Sequence, residues 1–182
     1  MPKTIIVPPI EVWDEQNECF IRFKQQTLNL EHSLVSISKW ESKWHKSFLK
    51  KENKTREQTI DYIKDMCINY SSVDDDIFNY LPNSVVKEIQ EYIEDPMTAT
   101  VFFEDQDKSS SNHTVTSELI YSWMIALQIP VEFQKWHLNR LMTLIRLIQN
   151  QNQPKKKMSR GEILRRNKAL NDARKAQLHT TG

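Results

Sequence analysis

Glycine is almost absent from this chain, since only Gly161 and Gly182 are glycine among 182 residues. Loops that cradle phosphates, such as GxGxxG or GxxxxGK[ST], need several glycines so that the backbone can approach the phosphate groups. The GxSxG turn that exposes a nucleophilic serine needs two glycines close together. This chain can build none of these motifs. Its glycine content instead favours helices, in which glycine is the least favourable residue after proline.

Apolar residues recur at helical spacing over most of the chain. The first stripe runs from Leu30 to Phe48, and a capping-box pattern at 55–58 predicts the start of the next helix. Pro130 separates the two most apolar helical segments, and a Ser-rich stretch at 105–113 predicts the longest loop. The predicted helical segments are LEHSLVSISKWESKWHKSFLKKE, the segment that opens at TREQ and carries Ile60, Ile63 and Cys67 on one face, PNSVVKEIQEYIEDP, SELIYSWMIALQI and EFQKWHLNRLMTLIRLIQNQN.

Two short segments near the N-terminus have strand character. KTIIV at 3–7 and CFIRFK at 19–24 are rich in β-branched and aromatic residues, and the polar stretch DEQNE lies between them. We predict that they pair as a hairpin that leans on the helices, because two strands alone are marginally stable. The predicted fold class is mainly α: a compact helical bundle with a short N-terminal β-hairpin and a basic C-terminal helix.

The C-terminal segment is strongly basic. Residues 155–182 carry nine Lys and Arg against Glu162 and Asp172, a net charge of +7, whereas the preceding residues carry −6. Pro154 and the lysines after it predict a hinge, and the Ser159–Glu162 pattern predicts a helix start. We therefore divide the chain into a helical domain at 1–153 and a basic helical extension at 154–182. An acidic body and a basic tail can associate, within one chain or between neighbours.

No constellation of catalytic or metal-binding residues emerges from the sequence. The five histidines form no HExxH pattern, and no set of nucleophile, base and orienting group can be assembled from sequence motifs. Asp74, Asp75 and Asp76 are contiguous and lack the alternate spacing and glycine of a calcium loop, so they favour a role at a helix N-terminus. Cys19 and Cys67 stand alone, as is typical of thiols in a reducing compartment. We expect no cofactor, no metal and no enzymatic activity, and no apolar run is long enough for a membrane span.

Several segments together resemble one known family, and the resemblance spans roughly residues 10–182. They are LNLEHSLVSISKWESKWHKSFL, KTREQTIDYIKDM, DPMTAT, SELIYSWMIALQIPVEFQKWHLNRLMTLIRLIQNQN and PKKKMSRGEILRRNKALNDARK. They are similar to the tail assembly chaperones encoded by tailed bacteriophages. The resemblance implies a non-enzymatic factor in the host cytoplasm that keeps the long, helical tape-measure protein soluble while the major tail protein polymerises around it. It also implies self-association along the client.

We place the partner-binding surface on the basic extension, because charge and a narrow apolar edge occur there together. Its residues are Lys155, Lys156, Lys157, Arg160, Ile163, Arg165, Arg166, Leu170 and Arg174. Two alternatives stay open at this point. The protein could be a tail or connector subunit retained in the virion, or a non-specific nucleic-acid-binding protein whose cations contact phosphates. The acidic body argues against the second alternative, since it would repel a duplex.

Overall fold

A computed structural model describes residues 2–14, 18–100, 114–152 and 160–178, with the backbone alone at Asp14, Glu162, Ile163, Ala173 and 175–178. The described residues are mainly helical, as predicted. The strands are β1 (Lys3–Val7), β2 (Ile10–Asp14), β3 (Cys19–Phe23) and β4 (Gln26–Leu30). The helices are α1 (Leu34–Trp44), α2 (Arg56–Met66), α3 (Asn83–Glu94), α4 (Ser117–Ala126), α5 (Leu138–Asn152) and α6 (Arg160–Leu178). Short 3-10 turns cover Tyr70–Ser72, Asp75–Asn79 and Val131–Lys135.

The four strands form one interrupted antiparallel ribbon. β1 pairs with β4 and β2 pairs with β3, and in both halves the numbers of paired residues add up to 33. The register is therefore continuous, with no residue inserted between the halves. The predicted pairing of 3–7 with 19–24 is wrong. The segment QTLNL at 26–30 is a further strand, and it is this strand that pairs with β1. Segment 19–23 pairs instead with 10–14, across the shortest connection.

The ribbon is interrupted at Pro8 and Pro9, and the hydrogen-bond pattern explains why. On β4, the backbone groups of Thr27 and Asn29 point away from β1, because they bond the side chain of Asn69. Successive residues of a strand direct their backbone groups to alternate sides, so the even-numbered residues of β4 bond to β1. If this ladder continued, its next bonded pair would be Lys24 and Pro9. Because Pro9 has no N–H to donate, the ladder stops there.

The outer edge of β4 is covered. Asn29 N–H donates to Asn69 Oδ1 (2.9 Å), and Asn69 Nδ2 donates to Thr27 O (2.9 Å). The Ile68 N–H also donates to Asn29 O (2.9 Å). The residues that follow α2 thus take the place of a third strand beside β4, which satisfies an edge that would otherwise be open.

Two capping boxes fix the starts of α1 and α2. Ser33 caps α1, and Thr55 caps α2 as predicted. In the second box, the Thr55 N–H donates in turn to Gln58 Oε1 (3.0 Å). The buried face of α2 differs from the prediction of Ile60, Ile63 and Cys67. It consists of Gln58, Tyr62, Ile63 and Met66, while Ile60 is half-buried and Cys67 lies just beyond the helix.

The last helix of the body begins later than the sequence pattern predicts. The segment from Glu132 was predicted to be helical, but Val131–Lys135 forms a 3-10 turn and α5 begins at Leu138. The reason is a tertiary contact: His137 bridges Ser33 in extended conformation, and the Leu138 N–H donates to His32 O (2.9 Å). These long-range bonds hold His137 in extended conformation, so the helix cannot begin before Leu138.

One hydrophobic core joins the inner face of the ribbon to the helices. Its largest fully buried members are Trp40, Phe78, Ile5, Leu28, Leu30, Leu34, Ile37, Met66, Ile77, Ile120, Leu141 and Ile145. The chain divides into two compact units, Met1–Gln149 and Asn150–Gly182. The domain boundary predicted between 153 and 154 adjoins residues outside the described ranges and stays a prediction. The predicted loop at 105–113 and the capping serine at 159 also lie outside them.

Candidate functional site

The predicted partner-binding residues divide into described and undescribed ones. Lys155, Lys156 and Lys157 lie outside the described residues, as does the side chain of Ile163. The described members all lie on α6 and are exposed: Arg160, Arg165, Arg166, Leu170 and Arg174. Helix α6 therefore presents cations to solvent over its described length.

The apolar side chains of α6 are also exposed. Leu164 is 62% exposed and Leu170 is 47% exposed. They are six positions apart in the sequence, so at 3.6 residues per turn they point about 120° apart around the helix axis. They do not form one stripe, and Ile163, which was predicted to share an apolar edge with Leu170, has its side chain outside the described set.

The distal half of the ribbon carries an aromatic surface that sequence reasoning missed. Trp13 and Phe20 are cross-strand partners whose rings meet edge to face at 4.9 Å, and they are 48% and 59% exposed. One rung towards the body, Arg22 Nε donates to Glu11 Oε1 (2.7 Å). Exposed aromatic pairs flanked by charge are typical of protein-binding surfaces. Recognising β2 as a strand would have placed Trp13 opposite Phe20.

A groove opens on the body where the end of α3 meets α5. It has a volume of about 380 Å³ and combines apolar and charged lining. Leu138 and Met142 come from α5, and Glu94 and Arg146 add one charge of each sign. The remaining lining residues are Leu49, Pro96, Asn139 and Thr143. The groove wall is fixed by Asn139, whose Nδ2 donates to Ile93 O (3.1 Å) and Asp95 O (2.8 Å) at the end of α3.

Two of the five histidines meet in the core. The rings of His32 and His137 lie 4.9 Å apart, and both residues are buried. His32 Nδ1 lies 2.5 Å from the Tyr62 hydroxyl, and His137 Nε2 lies 2.9 Å from Tyr92 O. Since a carbonyl can only accept, His137 carries its proton on Nε2. Its Nδ1 is then a buried acceptor without a hydrogen-bond partner among the described residues.

Burial keeps this histidine pair neutral. Desolvation, helped by the neighbouring His137, lowers the pKa of His32 from 6.5 to about 3. Desolvation also lowers the pKa of His137, against the opposing effects of its bond to Tyr92 O and of Asp95. The residues are 2% and 1% exposed, so no substrate can reach the rings in this conformation. We assign the pair to the stability of the β4–α5 junction and not to catalysis.

A buried carboxylate ties three segments together near the end of α1. Glu41 is 7% exposed, and its Oε1 accepts from the Phe48 N–H (2.8 Å) while Oε2 accepts from the Ser117 N–H (2.7 Å). The second bond places the charge at the N-terminus of α4, where the helix dipole favours an anion. Both oxygens are used inside the protein, so this group also has a structural role.

The other residues singled out in the sequence take structural positions. Trp40 is buried, as predicted, and its Nε1 donates to Gln58 O (2.8 Å). Asp74 accepts from the Asp76 N–H (3.1 Å) at the start of the Asp75–Asn79 turn, in line with the predicted role of the acidic run. Within the described ranges, no group of three or more His, Cys, Asp or Glu side chains is arranged to hold a metal ion.

Comparison with known proteins gives no assignment: the chain matches no protein-family model, no curated protein and no solved structure. In the part of the chain that the structure describes, no helix is both long enough and apolar enough to cross a membrane. The described surfaces thus comprise a groove with apolar and charged lining, an exposed aromatic pair on the ribbon and a basic helix.

Proposed function

We propose that this protein is a phage tail assembly chaperone that binds apolar helical segments of a tape-measure protein. The proposal includes a non-enzymatic role in the host cytoplasm and a body organised as a compact helical bundle with a basic C-terminal helix. The sequence resemblance suggests the client. The observation that carries the proposal is the groove between α3 and α5.

The groove has the chemistry that an amphipathic helix requires. Such helices insert side chains at i, i+3 or i+4 and i+7 into a hydrophobic groove. Leu138 and Met142 are themselves spaced by one helical turn and provide an apolar floor. Glu94 and Arg146 can orient a client helix of mixed charge, since groups of both signs occur at the rim.

The groove proposal is tested with a matched pair of substitutions. Met142→Glu places a carboxylate on the apolar floor, whereas Ile125→Glu places the same group on α4 at a side chain that is 79% exposed. Co-purification with a tagged tape-measure segment should fall by about ten-fold or more for Met142→Glu, as for loss of an interface hot spot. It should be unchanged for Ile125→Glu. Circular dichroism and thermal melts check that both variants stay folded.

Two results would contradict this assignment in different ways. Capture of the client by Met142→Glu at the level of the unaltered protein would remove the groove from the client site. Failure of the unaltered protein to capture any tape-measure segment would remove the chaperone function itself.

The basic extension provides a second contact in this proposal. Deleting 155–182 should abolish client binding or self-association, and unchanged assembly by light scattering would contradict that role. The same deletion tests the nucleic-acid alternative, which the exposed arginines of α6 favour. Phosphate contacts weaken steeply with salt, so a mobility-shift titration at two salt concentrations distinguishes the two. Mass spectrometry of purified virions tests the structural alternative, because a chaperone should be absent from the particle.

A further inference from the structure

The two halves of the ribbon differ in how their edges are treated. The β4 edge is covered by Ile68 and Asn69, as described above. Among the described residues, the backbone of β3 makes hydrogen bonds only to β2. An open strand edge is a template for pairing with another chain, and proteins commonly block such edges. The chain covers one half of this edge and leaves the other half open.

The side-chain pattern shows which backbone groups the open edge presents. Odd-numbered residues of β4 direct their N–H and C=O groups outwards, to Asn69 and Ile68, and the even-numbered side chains of Leu28 and Leu30 are buried. On β3 the order is reversed after the prolines, because the odd-numbered Ile21 and Phe23 face inwards and no bond joins Lys24 N–H to Pro9 O. Cys19, Ile21 and Phe23 are therefore the residues that bond to β2, and Phe20 and Arg22 direct their backbone groups outwards, where an antiparallel partner can bind them.

We propose that the occupant of this edge is β3 of a second copy, paired antiparallel about a two-fold axis at Ile21. The argument is the self-complementary order of charges in ECFIRFK at 18–24. About this axis, Glu18 lies opposite Lys24 of the second copy, and Phe20 lies opposite its Arg22. Opposite charges and cation–aromatic pairs on facing strands are both favourable.

The alternative registers match the charges less well. An axis at Arg22 would set the two Arg22 side chains against each other. An axis at Phe20 would set Glu18 opposite Arg22, which already bonds Glu11 of its own ribbon, and would leave Lys24 without an acidic partner. On the other edge, an axis at Val12 of β2 would set Glu11 opposite Trp13 and would bring no opposite charges together. The Ile21 axis sets the two outward residues, Phe20 and Arg22, opposite Arg22 and Phe20 of the other copy, for about four interchain hydrogen bonds.

The pairing would also cover the exposed aromatic surface in part. In the resulting four-stranded sheet, Trp13 and Phe20 of each copy lie on one face, in line with Arg22 of the other copy. A two-fold contact is closed, since the same patch serves both copies. It deepens the proposed function by naming a self-association surface on the body, separate from the basic extension. The contact is short compared with obligate interfaces, so we expect a concentration-dependent dimer.

Charge exchange tests the register. Glu18 and Lys24 are exposed, and neither has an ion-pair partner among the described residues. Glu18→Lys and Lys24→Glu each put like charges together at two symmetric places, which should weaken the dimer about ten-fold by sedimentation equilibrium. The double variant restores both pairs in reversed order and should return to within about three-fold of the unaltered protein.

Disulfide trapping tests the strand and the axis. In a Cys19→Ser background, Ile21→Cys places two thiols directly opposite each other across the two-fold axis, within the range that a disulfide spans. Val12→Cys is the matched control, because Val12 is the ribbon partner of Ile21 and is also half-buried. Its thiols would be about 14 Å apart, at three strand spacings. Oxidation should give a covalent dimer with the first variant only.

Each contrary result overturns the proposal. A double charge variant as weak as the single variants rules out this register, and trapping through Val12→Cys assigns the contact to β2. Equal dimerisation by all charge variants, without trapping at Ile21, removes the edge as a self-association site. Loss of tape-measure capture by these variants without any dimer would assign the edge to the client. The measurements use the full chain without client, so their failure leaves the groove test of the proposed function unaffected.

Discussion

Acidification should destabilise this protein well above the pH at which carboxylates titrate, because His32 is buried in the neutral form. Its pKa is lowered to about 3 in the folded protein by desolvation and by His137, against 6.5 when unperturbed. Above pH 6.5 both the folded and the unfolded states are neutral at this residue. Below pH 6.5 the unfolded state binds a proton that the folded state refuses, so stability falls with pH until the folded pKa is reached.

The size of the effect follows from the two pKa values. Each proton bound only by the unfolded state costs about 1.4 kcal/mol per pH unit. His32 alone should therefore remove about 2 kcal/mol of unfolding free energy between pH 6.5 and 5, and about 4 kcal/mol by pH 3. His137, whose pKa is also lowered, adds to the loss with the same sign. These amounts are a large part of the 5–15 kcal/mol typical of a folded domain.

Urea unfolding at pH 7.5, 6.5, 5.5 and 5.0 measures this loss. His32→Gln cannot take up the proton and should lose about 2 kcal/mol less over this window, whatever its stability at pH 7.5. His45→Asn is the control: His45 is exposed at the left-handed end of α1, a position that asparagine tolerates, so its slope should match the unaltered protein. Equal slopes for His32→Gln and the unaltered protein would refute the reasoning, as would an NMR titration of His32 near pH 6.5.

Three further substitutions test individual contacts by chemical denaturation. Glu41→Gln should cost about 1–3 kcal/mol, because the amide can accept from only one of the Phe48 and Ser117 N–H groups, and an unchanged stability would contradict the buried role. Thr55→Ala should cost about 1 kcal/mol through loss of the α2 cap, whereas Thr55→Ser should restore most of it. Asn69→Ala should cost about 1–3 kcal/mol by uncovering the β4 edge, and a smaller loss than for Thr55→Ala would mean that water replaces these bonds.

Local sequence signals predicted the helices well. Apolar spacing and capping patterns depend on neighbouring residues, so the stripe through Leu34, Ile37 and Trp40 and the Thr55 cap were visible in the chain. Helix α5 was placed too early because its start is set by bonds to His32 and Ser33, about a hundred residues earlier. No local pattern carries that information.

The candidate sites depended on contacts that the sequence does not reveal. The ribbon was mispaired because five-residue strands pair according to turn and register, and QTLNL has too many polar residues to be recognised alone. The groove combines side chains from three separate segments, around Leu49, Glu94 and Met142. The basic surface, in contrast, could be predicted from the local excess of Lys and Arg alone. The described part of it is exposed on α6.

The ribbon is synthesised before the helices, yet its apolar face is covered by these later residues. Ile5 and Val7 belong to the same core as Ile89, and Lys3 forms an ion pair with Glu88 on α3. At about 5–20 residues per second, the ribosome needs roughly 3–13 s to proceed from the end of β4 to the end of α3. For that interval β1 lacks α3, the helix that supplies Ile89 to its core and Glu88 to Lys3. Folding during synthesis therefore depends on what meets this ribbon first, its own third helix or another strand.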